Sequence, residues 1–547
     1  MNKNLLKVIL AAVIVGGCFF RILELDSRSL EYDEIWTTTH YFKCTFSEIF
    51  TKLETPNNHP LHTLIAQKMC SIFGETSWAL RLCALLSGIM LLFAVLWAAM
   101  KSFRSKYAVF ACAALTAFSP YLVHYSQTAR GYSMQAFFVF VLMFLLLSYA
   151  RRPSIIKAIG VFFTASAILF TVYSGLIFVC AAGGAYLCSF VKWRDWKKEL
   201  KKNLLLFTAG AGFCIVAALW LGMNWNKITQ AQQFGVKISS VGQFLQSVGH
   251  LIYDLGLLLP MIIIVAVFVL RPKDKILRFG LAFSILVFIS ALVTKCGPER
   301  VYMPMIAVML FCAARGIEVA GARFCKIKYL EAVMTAAVCF QLVFILSAME
   351  RISPPDWRYF VTQIEKMIPE ECYVVYSAGD TYPIYVNYKE CALHLAAKSE
   401  KKLTLAGFIF PEKQKISCMD KGRSAKTFSL GTALENYPLS NNYSISIYGI
   451  EPLTAANFRK GKSVLVFFVF MPKRQYYAVR KQLFLKDECY LLNAFFNRDY
   501  TSDYDGEAVR AIPYLIPSAT QEYDFYAKLA EYSGSKLRFY VLNAEVQ

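Results

Sequence analysis

The residues best equipped for chemistry in this 547-residue chain are Asp33 and Glu34. They are adjacent carboxylates in the stretch Leu30-Glu31-Tyr32-Asp33-Glu34-Ile35-Trp36. They follow the first apolar run, residues 5–23, almost at once, where the surface of a bilayer is expected. Charge beside hydrocarbon is costly unless it has a partner or a task. Taken alone, the pair reads as a solvated loop with acids at a helix start. Other polar groups between apolar runs shift that balance. These are His59 and His62, then Tyr125, Gln127, Arg130 and Tyr132, then Tyr173, and finally Lys295, Glu299, Arg300 and Tyr302. The guanidinium of arginine is a planar fork suited to phosphate oxygens. A carboxylate serves as general base toward an attacking hydroxyl or amine. Together these types fit group transfer from a phosphate carrier whose tail stays in lipid.

The elements that must position them are membrane helices. The chain is 57% hydrophobic, above the ~45–50% of a soluble globular protein. Apolar runs approaching the ~20 residues that cross a bilayer occur near 5–23, 79–100, 107–124, 132–150, 155–171, 174–191, 203–222, 251–270, 276–294, 301–319 and 329–349. Eleven spans are therefore expected, the first retained rather than cleaved. The formal net charge of +21 does not point to nucleic acid. Most of the excess sits in short loops such as Lys101/Arg104/Lys106, Arg151/Arg152/Lys157, Lys192–Lys202 and Arg271–Arg278, as cytoplasmic loops do. With the N-terminus inside and an odd span count, every basic loop falls inside. All the candidate residues then share the outer face.

That parity requires the moderately apolar stretch 59–75 to lie on the outer surface as a juxtamembrane helix. The whole segment 24–78 is then an outer loop with helices resting on the membrane. Sixteen cysteines show neither a CxxC pair nor metal-finger spacing. Of these, Cys372, Cys391, Cys418 and Cys489 leave disulfides open in an extracytoplasmic domain.

Beyond Ser353-Pro354-Pro355 the composition changes. Asp356–Met367 has helical periodicity, while 372–377, 464–470 and 537–541 are β-rich. The expected architecture is a polytopic helical membrane domain, 1–350, followed by a soluble α/β or α+β domain, 351–547. Lys and Arg number 25 and Asp and Glu 21 in 351–547, with no acid–base–nucleophile set among them. A packed core is expected there, not a second catalytic site.

The order of motifs resembles a family. Asp33-Glu34 comes soon after the first span, and His59-Pro60-Leu61 leads to Phe73-Gly74 and Arg81-Leu82. Next are Ser119-Pro120 through Tyr125-Ser126-Gln127-Thr128-Ala129-Arg130-Gly131-Tyr132. Arg300-Val301-Tyr302-Met303-Pro304 precedes a late span, and Asp356-Trp357-Arg358 follows the last. Over roughly 1–370 the chain resembles the C-type (GT-C) membrane glycosyltransferases, in the branch of protein O-mannosyltransferases and the aminoarabinose lipid A transferase. It departs from them in having one proline, not two, after His59, and in Val301 separating Arg300 from Tyr302.

The resemblance implies an inverting transferase of the inner or plasma membrane with an extracytoplasmic active site. Its donor would be a sugar on a polyprenyl phosphate, and its acceptor a lipid, glycan or protein. Asp33 would be the catalytic base, with Glu34 beside it. His59, Arg130, Tyr132, Lys295, Arg300 and Tyr302 would bind substrate or phosphate. A divalent metal is open.

Plainer readings stand beside these roles. Glu34 serves equally well to fix a local helix, and His59 and His62 to cap or anchor a surface helix. Tyr125, Tyr132 and Tyr173 suit an interfacial belt. Positive charge is disfavoured on the outer side, which favours function for Arg130 and Arg300. A lipid-linked sugar transporter or flippase would place ionisable groups within spans and show internal repeats, and neither is visible. A non-catalytic glycolipid-binding protein is the third class.

Overall fold

A computed structural model describes residues 3–23, 25–28, 30–51, 58–231, 240–294, 299–324 and 329–352, together with ten strands between Glu371 and Val546. The described helices are α1 (Lys3–Ile22), α2 (Tyr32–Tyr41), α3 (Phe46–Thr51), α4 (Pro60–Phe73), α5 (Ser77–Ser102) and α6 (Lys106–Phe118). They continue with α7 (Pro120–Ser126), α8 (Tyr132–Arg151), α9 (Ile155–Thr171), α10 (Gly175–Phe190), α11 (Trp196–Ala231) and α12 (Val241–Asp254). The last are α13 (Leu258–Leu270), α14 (Lys275–Thr294), α15 (Glu299–Tyr302), α16 (Met305–Arg323) and α17 (Leu330–Ile352). The chain forms two compact units. One comprises Met1–Ser27 and Cys44–Ile352, the other Arg28–Lys43 and Ser353–Gln547.

In the first unit, helix starts follow from side-chain caps. The hydroxyl of Thr76 accepts the N–H of Ala79, that of Ser105 the N–H of Ala108, and that of Ser154 the N–H of Lys157, satisfying donors that a helix start leaves open. Five described helices are long and apolar enough to cross a membrane: α1, α5, α8, the Trp196–Trp225 part of α11, and α16. The bent pairs α6/α7 and α12/α13 bring this to seven if each counts as one span, and α9, α10 and Leu330–Gln341 are shorter apolar helices. The eleven expected stretches fall mainly in described helices, but only five of these, or seven with the bent pairs, are long and apolar enough to cross a membrane.

The expected span at 251–270 is not one helix. A bend of 106° separates α12 from α13. The cause is Gly256 at φ +66°, with its N–H on the carbonyl of Tyr253 and that of Leu257 on the carbonyl of Ile252. This pattern ends a helix at a left-handed residue, which glycine adopts without a Cβ penalty.

A second break is at Ser119-Pro120, where α6 and α7 meet at 48°. Pro120 lacks the N–H that Thr116 would need for its helical bond. Arg21, fully buried near the end of α1, takes over. Its guanidinium donates to the carbonyls of Thr116 (3.0 Å), Ala117 (2.8 Å) and Gly17 (2.8 Å). Close helix approach permits this: a Cβ on Gly17 would lie 2.8 Å from that of Ala117.

At the opposite end of these helices a charge network ties four elements together. Arg315 on α16 pairs with Asp274 before α14 (2.9 Å) and with Glu318. Glu318 also accepts the N–H groups of Arg104 and Ser105, and the Ser105 hydroxyl bonds Glu331 of α17.

The second unit contains α2 and the strands β1 (Glu371–Ser377), β2 (Lys402–Pro411), β3 (Ile416–Asp420), β4 (Arg423–Phe428), β5 (Tyr437–Ser440), β6 (Tyr443–Pro452), β7 (Ser463–Phe468), β8 (Tyr490–Leu491), β9 (Ile512–Ile516) and β10 (Leu537–Val546). Eight form a mixed sheet in the order β5-β6-β10-β2-β1-β7-β9-β8. Here β1 runs parallel to β2 and β7, and β10 antiparallel to β2 and β6. The strands β3 and β4 pair separately. Of the β-rich runs read from the sequence, 372–377 falls in β1, 464–468 in β7 and 537–541 in β10, while 469–470, Asp356–Met367, Cys391 and Cys489 lie outside the described residues.

Candidate functional site

The site in the first unit is built around His59. Two hydrogen bonds fix the chain just before it: the Asn58 amide donates to the carbonyl of Ile49 (2.8 Å), and the Thr63 hydroxyl to Asn58 Oδ1 (3.3 Å). Pro60 then starts α4 at the one position where its missing N–H costs nothing. His59 is the capping residue, and its carbonyl accepts the N–H of Thr63. Its side chain makes no cap bond. The ring reaches instead to the start of α8.

There the backbone N–H of Gly131 donates to His59 Nδ1 at 2.7 Å, and Arg130 Nη2 lies 3.1 Å from His59 Nε2. Tyr132 meets the ring edge-to-face at 4.9 Å, and the Arg130 guanidinium sits 5.9 Å from the centre of the Tyr132 ring, within cation–π range. Tyr125 closes the cluster, 5.1 Å from Tyr132 and 4.8 Å from His124 between ring centres. His59 and Arg130 are 2% and 3% exposed, so both operate largely out of water.

Gly131 is required by space, not by backbone angle, since its φ is −70°. A Cβ there would lie 2.8 Å from Thr171 Cγ2 and 2.9 Å from His59 Nδ1. Only a residue without a side chain lets the imidazole reach that N–H.

Burial holds the His59 imidazole well below its usual pKa, and the charge of Arg130, the neighbouring His62 and the charge of Arg300 push the same way. Water no longer solvates the imidazolium, and nearby cations oppose it. His59 is therefore neutral at pH 7. Burial likewise pushes the Tyr173 hydroxyl up to about 12, with Tyr132 adding to the shift. Tyr173 thus remains a protonated donor beside the same cluster.

The structure brings together His59, His62, Arg130, Tyr132 and Arg300 out of the sequence candidates. Arg300 is exposed on α15, and Tyr302 is buried among the apolar residues of the first unit. Lys295 lies outside the described residues. Asp33 and Glu34 open α2 in the second unit. Glu34 is fully buried and accepts the N–H of Glu31 at 2.8 Å, the return half of a capping box. Glu34 thus has the helix-fixing role that the sequence left open, and Asp33 beside it is partly exposed.

Among the described residues no group of three or more His, Cys, Asp or Glu side chains is placed to hold a metal. Among the described residues, the charges of Arg130 and Arg300 act on His59 and oppose a cation there. Sequence reading passed over Gly131 and Arg21. A glycine between Arg130 and Tyr132, and a lone arginine ending an apolar run, were the available signals.

No family model and no curated sequence matches the chain. Solved structures similar to it include ArnT from Cupriavidus metallidurans bound to undecaprenyl phosphate, with TM-score 0.49 and 12% identity over 94% of this chain and 98% of that one. Another is the archaeal oligosaccharyltransferase AglB from Archaeoglobus fulgidus in complex with an inhibitory peptide and a dolichol-phosphate. It has TM-score 0.44 and 12% identity over 72% of this chain and 64% of that one. A third is the arabinosyltransferase EmbB from Mycobacterium smegmatis, with TM-score 0.39 and 13% identity over 57% and 30%. These neighbours are C-type membrane glycosyltransferases, the kind that the sequence resembles.

Proposed function

We propose that this protein is an integral-membrane glycosyltransferase that moves a sugar from a polyprenyl phosphate to an extracytoplasmic acceptor, with inversion at the transferred carbon. The observation that carries the reading is the buried cluster of Arg130, neutral His59 and Tyr132 at one end of an apolar helix bundle, with the charge of Arg300 added to it. The planar guanidinium of Arg130 in that cluster is suited to phosphate oxygens. In a membrane protein whose polar groups gather at helix ends, a lipid phosphate supplies them while its tail stays in hydrocarbon.

In the proposed reaction Asp33 takes the proton of the acceptor hydroxyl or amine as that group attacks the sugar carbon. The bond from that carbon to the phosphate oxygen breaks. The electron pair goes to the lipid phosphate, whose growing charge Arg130 and Arg300 stabilise. Lys295 and Tyr302 belong to the same substrate-binding set. Glu34 fixes the helix that presents Asp33. The N-terminus is cytoplasmic and the C-terminal unit extracytoplasmic, where it recognises the acceptor.

The test uses the full chain with a labelled polyprenyl-phosphate sugar. Asp33→Asn is expected to abolish transfer and keep donor binding. Unchanged turnover in that variant would remove Asp33 from the mechanism. Binding of several donors without transfer by the wild type would instead favour a non-catalytic glycolipid-binding protein.

A further inference from the structure

The densest run of positive charge in the chain is Lys192-Trp193-Arg194-Asp195-Trp196-Lys197-Lys198-Glu199-Leu200-Lys201-Lys202, with six Lys and Arg against two acids. It joins α10 to α11 at the end of the bundle away from His59. Helix α8 starts beside His59 and ends at Arg151. Near that far end the Tyr149 hydroxyl donates to the carbonyl of Lys202 (3.4 Å). The fold sorts the run by charge. Glu199 is turned inward, 9% exposed. Its carboxylate accepts from the Asn203 amide at 3.2 Å, and the Tyr186 hydroxyl donates to Asn203 Oδ1 at 2.6 Å. Lys192, Arg194, Lys197, Lys198, Lys201 and Lys202 all face outward and are exposed. Lys275 at the start of α14 adds its charge, with its ammonium 5.5 Å from the ring centre of Phe190 at the end of α10.

Apolar surface adjoins these charges. Trp196, Leu200 and Leu204 recur every fourth residue along one stripe of α11 and are 56%, 42% and 58% exposed. At 3.6 residues per turn, Lys197, Lys198, Lys201 and Lys202 fill a neighbouring sector of about 140°. The depth of the stripe follows from helix length. The apolar part of α11, Trp196–Trp225, has 30 residues and is about 45 Å long. A bilayer with its headgroup layers measures about 40–45 Å. Tryptophans gather at those layers, and both Trp196 and Trp225 are exposed. Trp196 and the lysines beside it therefore lie at headgroup level, with Leu204 one to two turns deeper.

We propose that residues 192–202, together with Lys275, form a docking surface for anionic phospholipids in the leaflet away from the His59 cluster. The headgroup phosphates sit on the lysines and an acyl chain lies along Trp196, Leu200 and Leu204. Four to eight Lys and Arg beside a span suffice for such recognition. A soluble polyanion would satisfy the charges and leave the stripe uncovered, whereas a lipid matches both. The inward turn of Glu199 keeps its negative charge off this face. The proposal stands apart from the transferase reading and does not depend on it.

The test measures binding of phosphatidylglycerol and phosphatidylcholine with identical acyl chains to the delipidated full chain in detergent. The wild type should prefer phosphatidylglycerol by at least about tenfold at low salt, and the preference should shrink at about 0.5 M salt, where exposed charges are screened. Joint substitution Lys197→Gln, Lys198→Gln, Lys201→Gln and Lys202→Gln should weaken phosphatidylglycerol at least about tenfold, since each basic residue near a lipid surface contributes about fivefold. The same four positions changed to Arg should stay within about threefold of wild type. Equal binding of the two lipids by the wild type overturns the proposal, as does an undiminished preference in the folded Gln variant. If a single-stranded oligonucleotide binds the wild type and is lost in the Gln variant while phosphatidylglycerol is not, the face serves nucleic acid and the lipid proposal is overturned. Should the Gln variant not fold, the wild type decides: a preference for phosphatidylglycerol that salt leaves unchanged overturns a surface built on exposed lysines.

Discussion

Gly131→Ala offers the most direct perturbation of the site, because one methyl group is aimed at the His59 ring. The new Cβ would lie 2.9 Å from His59 Nδ1, 3.2 Å from His59 Cβ and 2.8 Å from Thr171 Cγ2. Two of these distances are shorter than carbon and nitrogen atoms tolerate, so ring and threonine must both recede. The backbone at Gly131 has φ −70° and adds no strain. The whole cost is overpacking, about 1–3 kcal/mol. Once the ring recedes, its bond to the Gly131 N–H lengthens and Nε2 leaves its place beside Arg130. Losing one hydrogen bond to a charged partner is worth about 1.5–3 kcal/mol. Phosphate affinity should therefore fall by about 10- to 150-fold. The assay pairs farnesyl phosphate binding with thermal unfolding. Gly183→Ala serves as the control, since a Cβ there meets nothing within 4 Å and should leave binding unchanged. Full phosphate affinity in Gly131→Ala would show that the fit of imidazole against this glycine does not matter.

Three further outcomes follow from the same contacts. Burial and nearby cations keep His59 below its usual pKa, and unfolding returns it to about 6.5. The unfolded chain therefore takes up more protons as pH falls, and this part of the stability is present above about pH 6.5 and lost below it. Melting temperature should drop more steeply from pH 7 to 5.5 in the wild type than in His59→Asn, and equal slopes would contradict the assignment. Arg21→Met leaves the carbonyls of Thr116 and Ala117 without their donor. At about 1–3 kcal/mol for each unsatisfied buried group, a total of about 3 kcal/mol should appear in unfolding measurements. Arg315→Gln, at the opposite end of the bundle, should cost about 1 kcal/mol and leave farnesyl phosphate binding as it is. A loss of binding there would mean that the two ends are coupled.

Much of the membrane unit is legible from apolar run length alone, because each run must satisfy its own backbone in lipid and the helix does so. The five helices long and apolar enough to span all lie in stretches read that way. The break at residues 255–257 is not legible in the same way. Leu255, Gly256 and Leu257 are apolar, and a hydropathy window passes over a glycine with positive φ. The pairing of His59 with Arg130 was foreshadowed only as a shared face. Their contact depends on Gly131, whose importance lies in an absent side chain, so that its place between Arg130 and Tyr132 was the only signal it gave. Glu34 shows the reverse case. Its spacing from Glu31 already fits a helix start, and the fold uses it there. Arg21, passed over in the sequence, donates to the Thr116 carbonyl that a proline 99 positions later leaves open.

The geometry at Arg130 is held in large part by the end of α1. Arg21 stabilises the break before Pro120. About two turns further on, Gln127 donates to the carbonyls of Phe20 (2.7 Å) and Leu23 (2.6 Å). Both ends of the short helix α7 are therefore pinned to the same few residues of the first span. The chain then bends through Thr128 and Ala129 and delivers Arg130 and the Gly131 N–H to His59. Irregular backbone at membrane depth persists only where its polar groups are satisfied by protein. Here α1 and His59 provide that satisfaction. Had α6 run on as a straight helix into α8, Arg130 would sit on a continuous cylinder, and its backbone N–H groups would be used up within the helix. The break frees the Gly131 N–H to bond the His59 ring and turns an arginine toward it. The same proline that disrupts a span thus creates the site, and the first span makes that disruption stable.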